Sequence, residues 1–367
     1  MNNNQSDNLN CCEYINMNDE KSTIISDICN CPPCGNCCLL SCPPSRSIDI
    51  NTMIANIQDH LRVPWRGGAR RISLDAAIPL IFFPLTLYIA ALGFWQTVIL
   101  FPLVTLILYF VHISIKKYKC PTKFFYVWTL VSAFLVFIIF QLLVVPMLDI
   151  NTNENIIILV IMAATAWCFY TSKKYAINSH IKQDFEMTTS HDTSENAILL
   201  NETNDTSCEI CRQIVPSRTY HCFICKTCIR YQHVHSYWID CCIGKYNRKP
   251  YIAGLILGTI MLAFLSNLIL TTLCHPFNVF ATIMLPDDCS DVYFDIMYGI
   301  CFVTGLYCSA VAGILFCMII YEIFIISMGI TNYEYQACIK RTNNQFFWSR
   351  HILSNLLSNW KDFFSNF

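Results

Sequence analysis

The sequence predicts an all-α polytopic membrane protein, and three observations predict it. Of its 367 residues 54% are apolar and only 13% charged, a balance too apolar for an ordinary soluble domain. Six stretches reach the length of roughly 20 apolar residues that a helix needs to cross a bilayer core. Lys and Arg collect in alternate connections, the asymmetry that orients spanning helices.

Residues 1–75 are polar and Asn-rich, with no apolar run that could be a signal peptide or a span. Eight of the 23 cysteines lie here, at Cys11, Cys12, Cys29, Cys31, Cys34, Cys37, Cys38 and Cys42. The segment CNCPPCGNCCLLSCPP has prolines and glycine in place of helix formers and reads as a loop. We expect a cytosolic, disordered Cys/Asn-rich N-terminus. Its cysteines are open to three readings: metal ligands, acyl carriers, or reactive thiols of a disordered tail.

Four helices are expected within 76–172, at about 76–95, 97–115, 124–147 and 155–172, and two within 251–328, at about 251–274 and 296–328. The first two are joined by a tight turn near Gln96. Pro79, Pro84 and Pro102 kink helices or sit near their ends, which is tolerated where neighbours satisfy the freed carbonyls. The last stretch is long for one span and should tilt or project. Glu322 near its inner end should face protein or water, since a lipid-facing charge is costly. Gly254, Gly258, Gly305 and Gly313 suit close helix packing.

Charge sets the orientation. Arg66, Arg70 and Arg71 precede the first helix, Lys116, Lys117, Lys119 and Lys123 fill the second connection, Lys173 and Lys174 follow the fourth helix, and Lys340, Arg341, Arg350 and Lys361 lie in the tail at 329–367. These segments, both termini included, are expected in the cytosol. The connections around Asp149 and Asp287 carry no Lys or Arg and should face the lumen or outside. Asn201-Glu-Thr and Asn204-Asp-Thr have the form of glycosylation acceptors, but in a cytosolic loop they should stay unmodified.

That loop, 173–250 with its core at 208–250, holds the densest chemistry of the chain. Between Cys208 and Cys242 lie Cys208, Cys211, His221, Cys222, Cys225, Cys228, His235 and Cys242, including two C-x2-C pairs. Structural zinc takes four Cys or His ligands, and two-residue spacing lets both thiolates of a pair face one ion. Eight ligands are enough for two zinc ions. The competing reading is structural disulfides or buried free thiols, and disulfides fit poorly on a reducing cytosolic face. The segment has few aliphatic residues, so metal binding must supply folding energy. Small hairpins and loops between helices 4 and 5 are the expected form.

The same residues resemble the cysteine-rich domain of the DHHC protein S-acyltransferases, the palmitoyltransferases. The frame of that family falls without a gap on Cys208, Cys211, His221, Cys222, Cys225, Cys228, then His233-Val234-His235-Ser236, Trp238, Cys242, Gly244 and Asn247. The resemblance implies that Cys208, Cys211, His221 and Cys228 hold one zinc and Cys222, Cys225, His235 and Cys242 the other. It also implies that Ser236 stands where the family has the nucleophilic Cys that carries the acyl group, Val234 where it has the base, and His233 where an Asp orients that base. A hydroxyl is far less acidic than a thiol and needs a placed base, Val234 has no proton acceptor, and an oxygen ester would be a sink rather than a relay. Two substitutes are conceivable: His233 turning to Ser236 as base, or Cys241 as a displaced nucleophile.

Beyond the last helix, Thr331-Asn332-Tyr333-Glu334 nearly matches the family's T-T-x-E, and Asn359 with Phe363 fits its Asn followed by an aromatic. Two closely paired helices ahead of the usual four resemble the branch with N-terminal ankyrin repeats, yet residues 1–75 show no such period. The resemblance implies transfer of palmitate from palmitoyl-CoA to cysteines of client proteins at the cytosolic face of an endoplasmic reticulum or Golgi membrane, with the acyl chain held among the helices. Three functions are consistent with the sequence: a pseudoenzyme or scaffold, an active palmitoyltransferase with a displaced nucleophile, or a zinc-held protein-binding module on an unrelated polytopic protein. Membrane lipids, acyl-CoA and client proteins are the expected partners. Arg212, Arg218, Lys226 and Arg230 suit phosphates of CoA or anionic lipid equally. Nucleic acid is not expected, since the loop has no basic helix and is tethered to a bilayer.

Overall fold

The computed structural model describes residues 13–15, 21–23, 62–63, 70–71, 73–181, 206–280, 283–341 and 355–365. The N-terminal cysteine cluster and the two acceptor-like sequons at Asn201 and Asn204 lie outside the described residues. The chain divides into two units, Met1–Ile81 and Phe82–Phe367. Among its described residues the first contains two antiparallel strand pairs, β1 (Glu13–Ile15) with β2 (Lys21–Thr23) and β3 (Arg62–Val63) with β4 (Arg70–Arg71).

Six helices among the described residues are long and apolar enough to span a membrane. They are α1 (Leu74–Ala91), α2 (Phe94–Tyr118), α3 (Phe124–Met147), α4 (Thr152–Ala176), α5 (Arg248–Leu273) and α6 (Ile296–Ser327). The turn between α1 and α2 falls at Leu92-Gly93, not near Gln96, which lies inside α2. Gly93 interrupts the apolar run there, and glycine is a poor helix residue. α3 carries a π-helical turn at Phe140–Val144 just before Pro146. A proline lacks the N–H that would continue the regular ladder. α4 runs past the expected end at 172 to Ala176 and closes in a 3₁₀ turn, Ile177–Ser179.

The helices pack through three apolar clusters. Val136, Phe140, Val144, Ile158, Leu265, Ile269, Cys301 and Cys308 join α3 to α6 in one. A second gathers Phe83, Leu87, Ala90 and Ala91 of α1 around Trp128 and Val303. The third sits at the junction with the cysteine-rich domain: Ala176, Ile239, Cys241, Ile243, Tyr251 and Leu255. Close packing is the use found for two of the helix glycines. A Cβ on Gly254 would lie 2.9 Å from Phe169, and one on Gly305 3.1 Å from Ile269 and Leu270. Gly313 instead faces open space along α6.

Between α5 and α6 an antiparallel hairpin, β11 (His275–Phe280) and β12 (Ile283–Asp288), is closed at its base by a disulfide, Cys274–Cys289. Sequence patterning does not single out this pair. Its one signal is two cysteines bracketing a connection without Lys or Arg. After α6 the described residues form two short helices, α7 (Asn332–Arg341) and α8 (Leu356–Ser365).

Candidate metal centres and the interface beneath them

The cysteine-rich domain is three two-stranded antiparallel hairpins: β5 (Thr206–Cys208) with β6 (Gln213–Val215), β7 (Thr219–Cys222) with β8 (Thr227–Arg230), and β9 (Val234–Ser236) with β10 (Cys241–Ile243). Strands this short do not stand alone in water. Two four-residue clusters lie among them, Cys208, Cys211, His221 and Cys228, and Cys222, Cys225, His235 and Cys242. The ligand atoms of each set all fall within 4.8 Å of one another.

The two clusters share one design. Each has a C-x2-C turn in which the second cysteine's N–H points at the first sulfur, Cys211 to Cys208 at 3.4 Å and Cys225 to Cys222 at 3.5 Å. The residue after each turn is left-handed, Arg212 at φ 54° and Lys226 at φ 55°. Each cluster is completed by a directly opposed cross-strand pair, His221 with Cys228 on β7–β8 and His235 with Cys242 on β9–β10. Consecutive residues of a strand point to opposite faces. His221 and Cys222 therefore serve different clusters, and the two sites interlock through β7.

The donors suit zinc. Three thiolates and an imidazole are a structural tetrahedral set. Ligands 2.3 Å from a common ion stand about 3.8 Å apart, and the sulfurs of Cys211 and Cys228 are 3.6 Å apart, those of Cys225 and Cys242 3.3 Å. Both imidazoles turn Nδ1 inward, His221 at 3.2 Å from Cys211 and His235 at 3.4 Å from Cys225. Each bound ion would cross-link two hairpins, and the two ions together all three, which have little core of their own.

The second cluster rests on the membrane helices. Asn247, fully buried, accepts from Gly244 N–H and donates to the carbonyls of Cys242 and Ser172, tying β10 to α4. Trp238 packs on Phe125 of α3 at 4.6 Å and stacks on His112 of α2 at 6.3 Å. The Lys119 ammonium caps the ring of Phe223 at 3.4 Å.

Three charged or titratable side chains meet beneath β9. The buried His233 presents Nε2 to Glu322 Oε1 at 2.5 Å, and Arg248 donates to Glu322 Oε2 at 3.1 Å. The other ring nitrogen, Nδ1, accepts the backbone N–H of Asn332 at 3.1 Å. That bond makes Nδ1 the unprotonated nitrogen, so Nε2–H is the donor to Glu322. Burial holds the imidazole below its ordinary pKa against the pull of the Glu322 carboxylate. Glu322 thus faces protein, as its cost in lipid required.

Thr331 and Glu334 form a reciprocal cap on α7. Glu334 N–H reaches Thr331 Oγ1 at 3.3 Å, and Thr331 N–H reaches the Glu334 carboxylate at 2.7 Å. Arg218 of the turn before β7 grips the same carboxylate with two N–H groups, both at 2.7 Å. Against the cost of burial, this guanidinium and the Thr331 N–H hold the Glu334 carboxyl below the usual range. Asn359 donates to the Ser327 carbonyl at 2.8 Å and so caps the end of α6, while Phe363 is buried and Phe364 exposed.

The family model described as DHHC palmitoyltransferase matches residues 201–339, which take in both clusters, α5, α6 and most of α7. This chain carries a DHHC palmitoyltransferase domain. The likeness extends well beyond the matched segment. Palmitoyltransferase ZDHHC23-B of Danio rerio is 24% identical over 96% of this chain and 91% of its own length. Palmitoyltransferase ZDHHC23 of Mus musculus is 24% identical over 90% and 85%, and palmitoyltransferase erf2 of Schizosaccharomyces pombe is 29% identical over 36% and 37%.

Within the cysteine-rich domain, the residues of interest lie in different surroundings. Ser236 is buried on β9 directly opposite Cys241 on β10. Cys241 sits in the apolar cluster with Ala176, Tyr251 and Leu255, and burial pushes its thiol up to about 12. Arg248 and the Asn332 amide, both partners in the interface beneath, carry no sequence signal that marks them as such. Glu322 is legible as a charge needing company. Its partner is out of reach of local pattern because 89 residues separate it from His233.

Proposed function

We propose that this chain is a membrane-embedded member of the family that keeps the zinc-held fold and does not transfer palmitate by the family's mechanism. In this reading Ser236 stands in the nucleophile's position, Val234 in that of the base and His233 in that of the orienting Asp. The carrying observation is the engagement of His233: one ring nitrogen donates to Glu322 and the other accepts from Asn332, which leaves none to activate Ser236. Val234 has no proton acceptor, and an unactivated hydroxyl is a poor nucleophile. The displaced-nucleophile alternative is disfavoured by the packing of Cys241 among aliphatic and aromatic side chains, since reactive cysteines need partly exposed, electropositive surroundings.

The retained function is that of a scaffold at the cytosolic face, with fatty acyl-CoA and cysteine-bearing client proteins as the partners the fold is built for. Two zinc ions, one in each cluster, are the resident metals. The orientation has support from both ends of the molecule. The Cys274–Cys289 disulfide belongs in an oxidising compartment, and thiol clusters awaiting metal belong in a reducing one. Both termini are then cytosolic, and the endoplasmic reticulum or Golgi membrane is the compartment in keeping with the family.

Full-length protein in detergent, incubated with labelled palmitoyl-CoA, tests the reading. The wild type should carry no hydroxylamine-labile label above that of a Ser236→Ala/Cys241→Ala variant, with both zinc ions retained. A labile label lost in Cys241→Ala, or a hydroxylamine-stable one lost in Ser236→Ala, would establish an active enzyme instead.

A further inference from the structure

Glu322 lies 4% exposed on α6, and a carboxylate in such a place must find donors for both oxygens. It has two. Arg248 at the start of α5 serves Oε2, and His233 just before β9 serves Oε1. His233 is itself held from behind by Asn332 N–H, and Asn332 Oδ1 accepts from the Tyr321 hydroxyl at 2.6 Å, next to Glu322 in the chain. α5, α6, the start of α7 and the cysteine-rich domain thus meet at one carboxylate.

We propose that Glu322 and His233 are an exchanged pair: the carboxylate that the family carries in its motif has its counterpart in α6, and position 233 must supply a donor to it. This rests on the reading above that 233 is the family's Asp position. An Asp at 233 would set a second carboxylate against Glu322, two anions sharing the Arg248 guanidinium in a site closed to water. Like charges so placed are strongly unfavourable. The Asp cannot return while Glu322 remains. Changing Glu322 to Gln cures the conflict, because its amide donates to the new carboxylate while its oxygen keeps Arg248. A Gln at 233 should be tolerated without any change to Glu322, since it offers an N–H at a reach similar to that of His Nε2.

A double-mutant cycle on the full-length protein in detergent reads this directly, as melting temperature and zinc content of wild type, His233→Asp, Glu322→Gln, the double variant and His233→Gln. His233→Asp should lower the melting temperature by roughly 4 °C or more. Glu322→Gln should restore at least half of that loss in the double variant, and His233→Gln should fall by less than His233→Asp. If His233→Asp cannot be purified, recovery of the double variant with zinc in both clusters supports the pair, and its equal failure overturns it. Additive losses, or a His233→Asp variant as stable as wild type, also overturn it. Palmitoyl-CoA labelling of the wild type would sink the functional reading and leave the coupling measured in this cycle unchanged.

Discussion

Asn247 shows how one amide can hold a metal site to a membrane. Its oxygen takes the Gly244 N–H, and its nitrogen reaches the carbonyls of Cys242 and Ser172 at 2.9 and 3.0 Å, all inside the protein. A buried group left without its partner costs about 1–3 kcal/mol. Asn247→Ala should therefore cost about 2–4 kcal/mol and loosen Cys242, lowering the thermal midpoint and speeding zinc release to a colorimetric chelator. The identity of Asn247 is legible in the sequence as part of the family frame. Its role is not, because the Ser172 carbonyl lies 75 residues away.

At the scale of elements, the hairpins depend on metal and α7 depends on the hairpins. Strands of three or four residues have too few ladder bonds and too little apolar area to persist, so the clusters supply what a core would. A strong chelator should remove two zinc ions per chain and abolish hydrogen-exchange protection across Thr206–Ile243, while the spanning helices keep their circular dichroism. α7 is docked by Arg218 on Glu334 and by Tyr220 stacked on Tyr333 at 4.1 Å. Because Glu334 is held below the ordinary carboxyl range, its contribution is full above about pH 4.3 and is lost as pH falls through the depressed value. Arg218→Gln at pH 7 should accordingly weaken the dock by on the order of 1 kcal/mol, Arg218 being partly open to solvent. Faster amide exchange confined to Asn332–Arg341 is the expected signature.

For the whole molecule, the two ends of the helix bundle carry opposite thiol chemistry. The clusters sit at the end of α5 that begins with Arg248, and the disulfide at the end that finishes with Leu273. In sealed vesicles with the cytosolic face outward, an impermeant maleimide should modify the exposed Cys120 at once. Cys274 and Cys289 should react only after both permeabilisation and reduction. Labelling of that pair without permeabilisation would reverse the orientation.

Apolar run length, Lys/Arg asymmetry and ligand spacing are local properties, and from them the six spans and the eight metal-type ligands followed from the sequence. Helix ends were less legible: α4 passes 172 because Ser172 and Ala176 are buried against the cysteine-rich domain, where packing and not composition decides. The division of ligands was carried by resemblance, and the strand register supplies its physical cause, since neighbours on β7 face opposite ways. Only the tertiary structure could bring His233, Arg248, Glu322 and Asn332 to one point. A buried carboxylate chooses its partners by three-dimensional proximity and the need to satisfy both oxygens, and neither is written in local sequence.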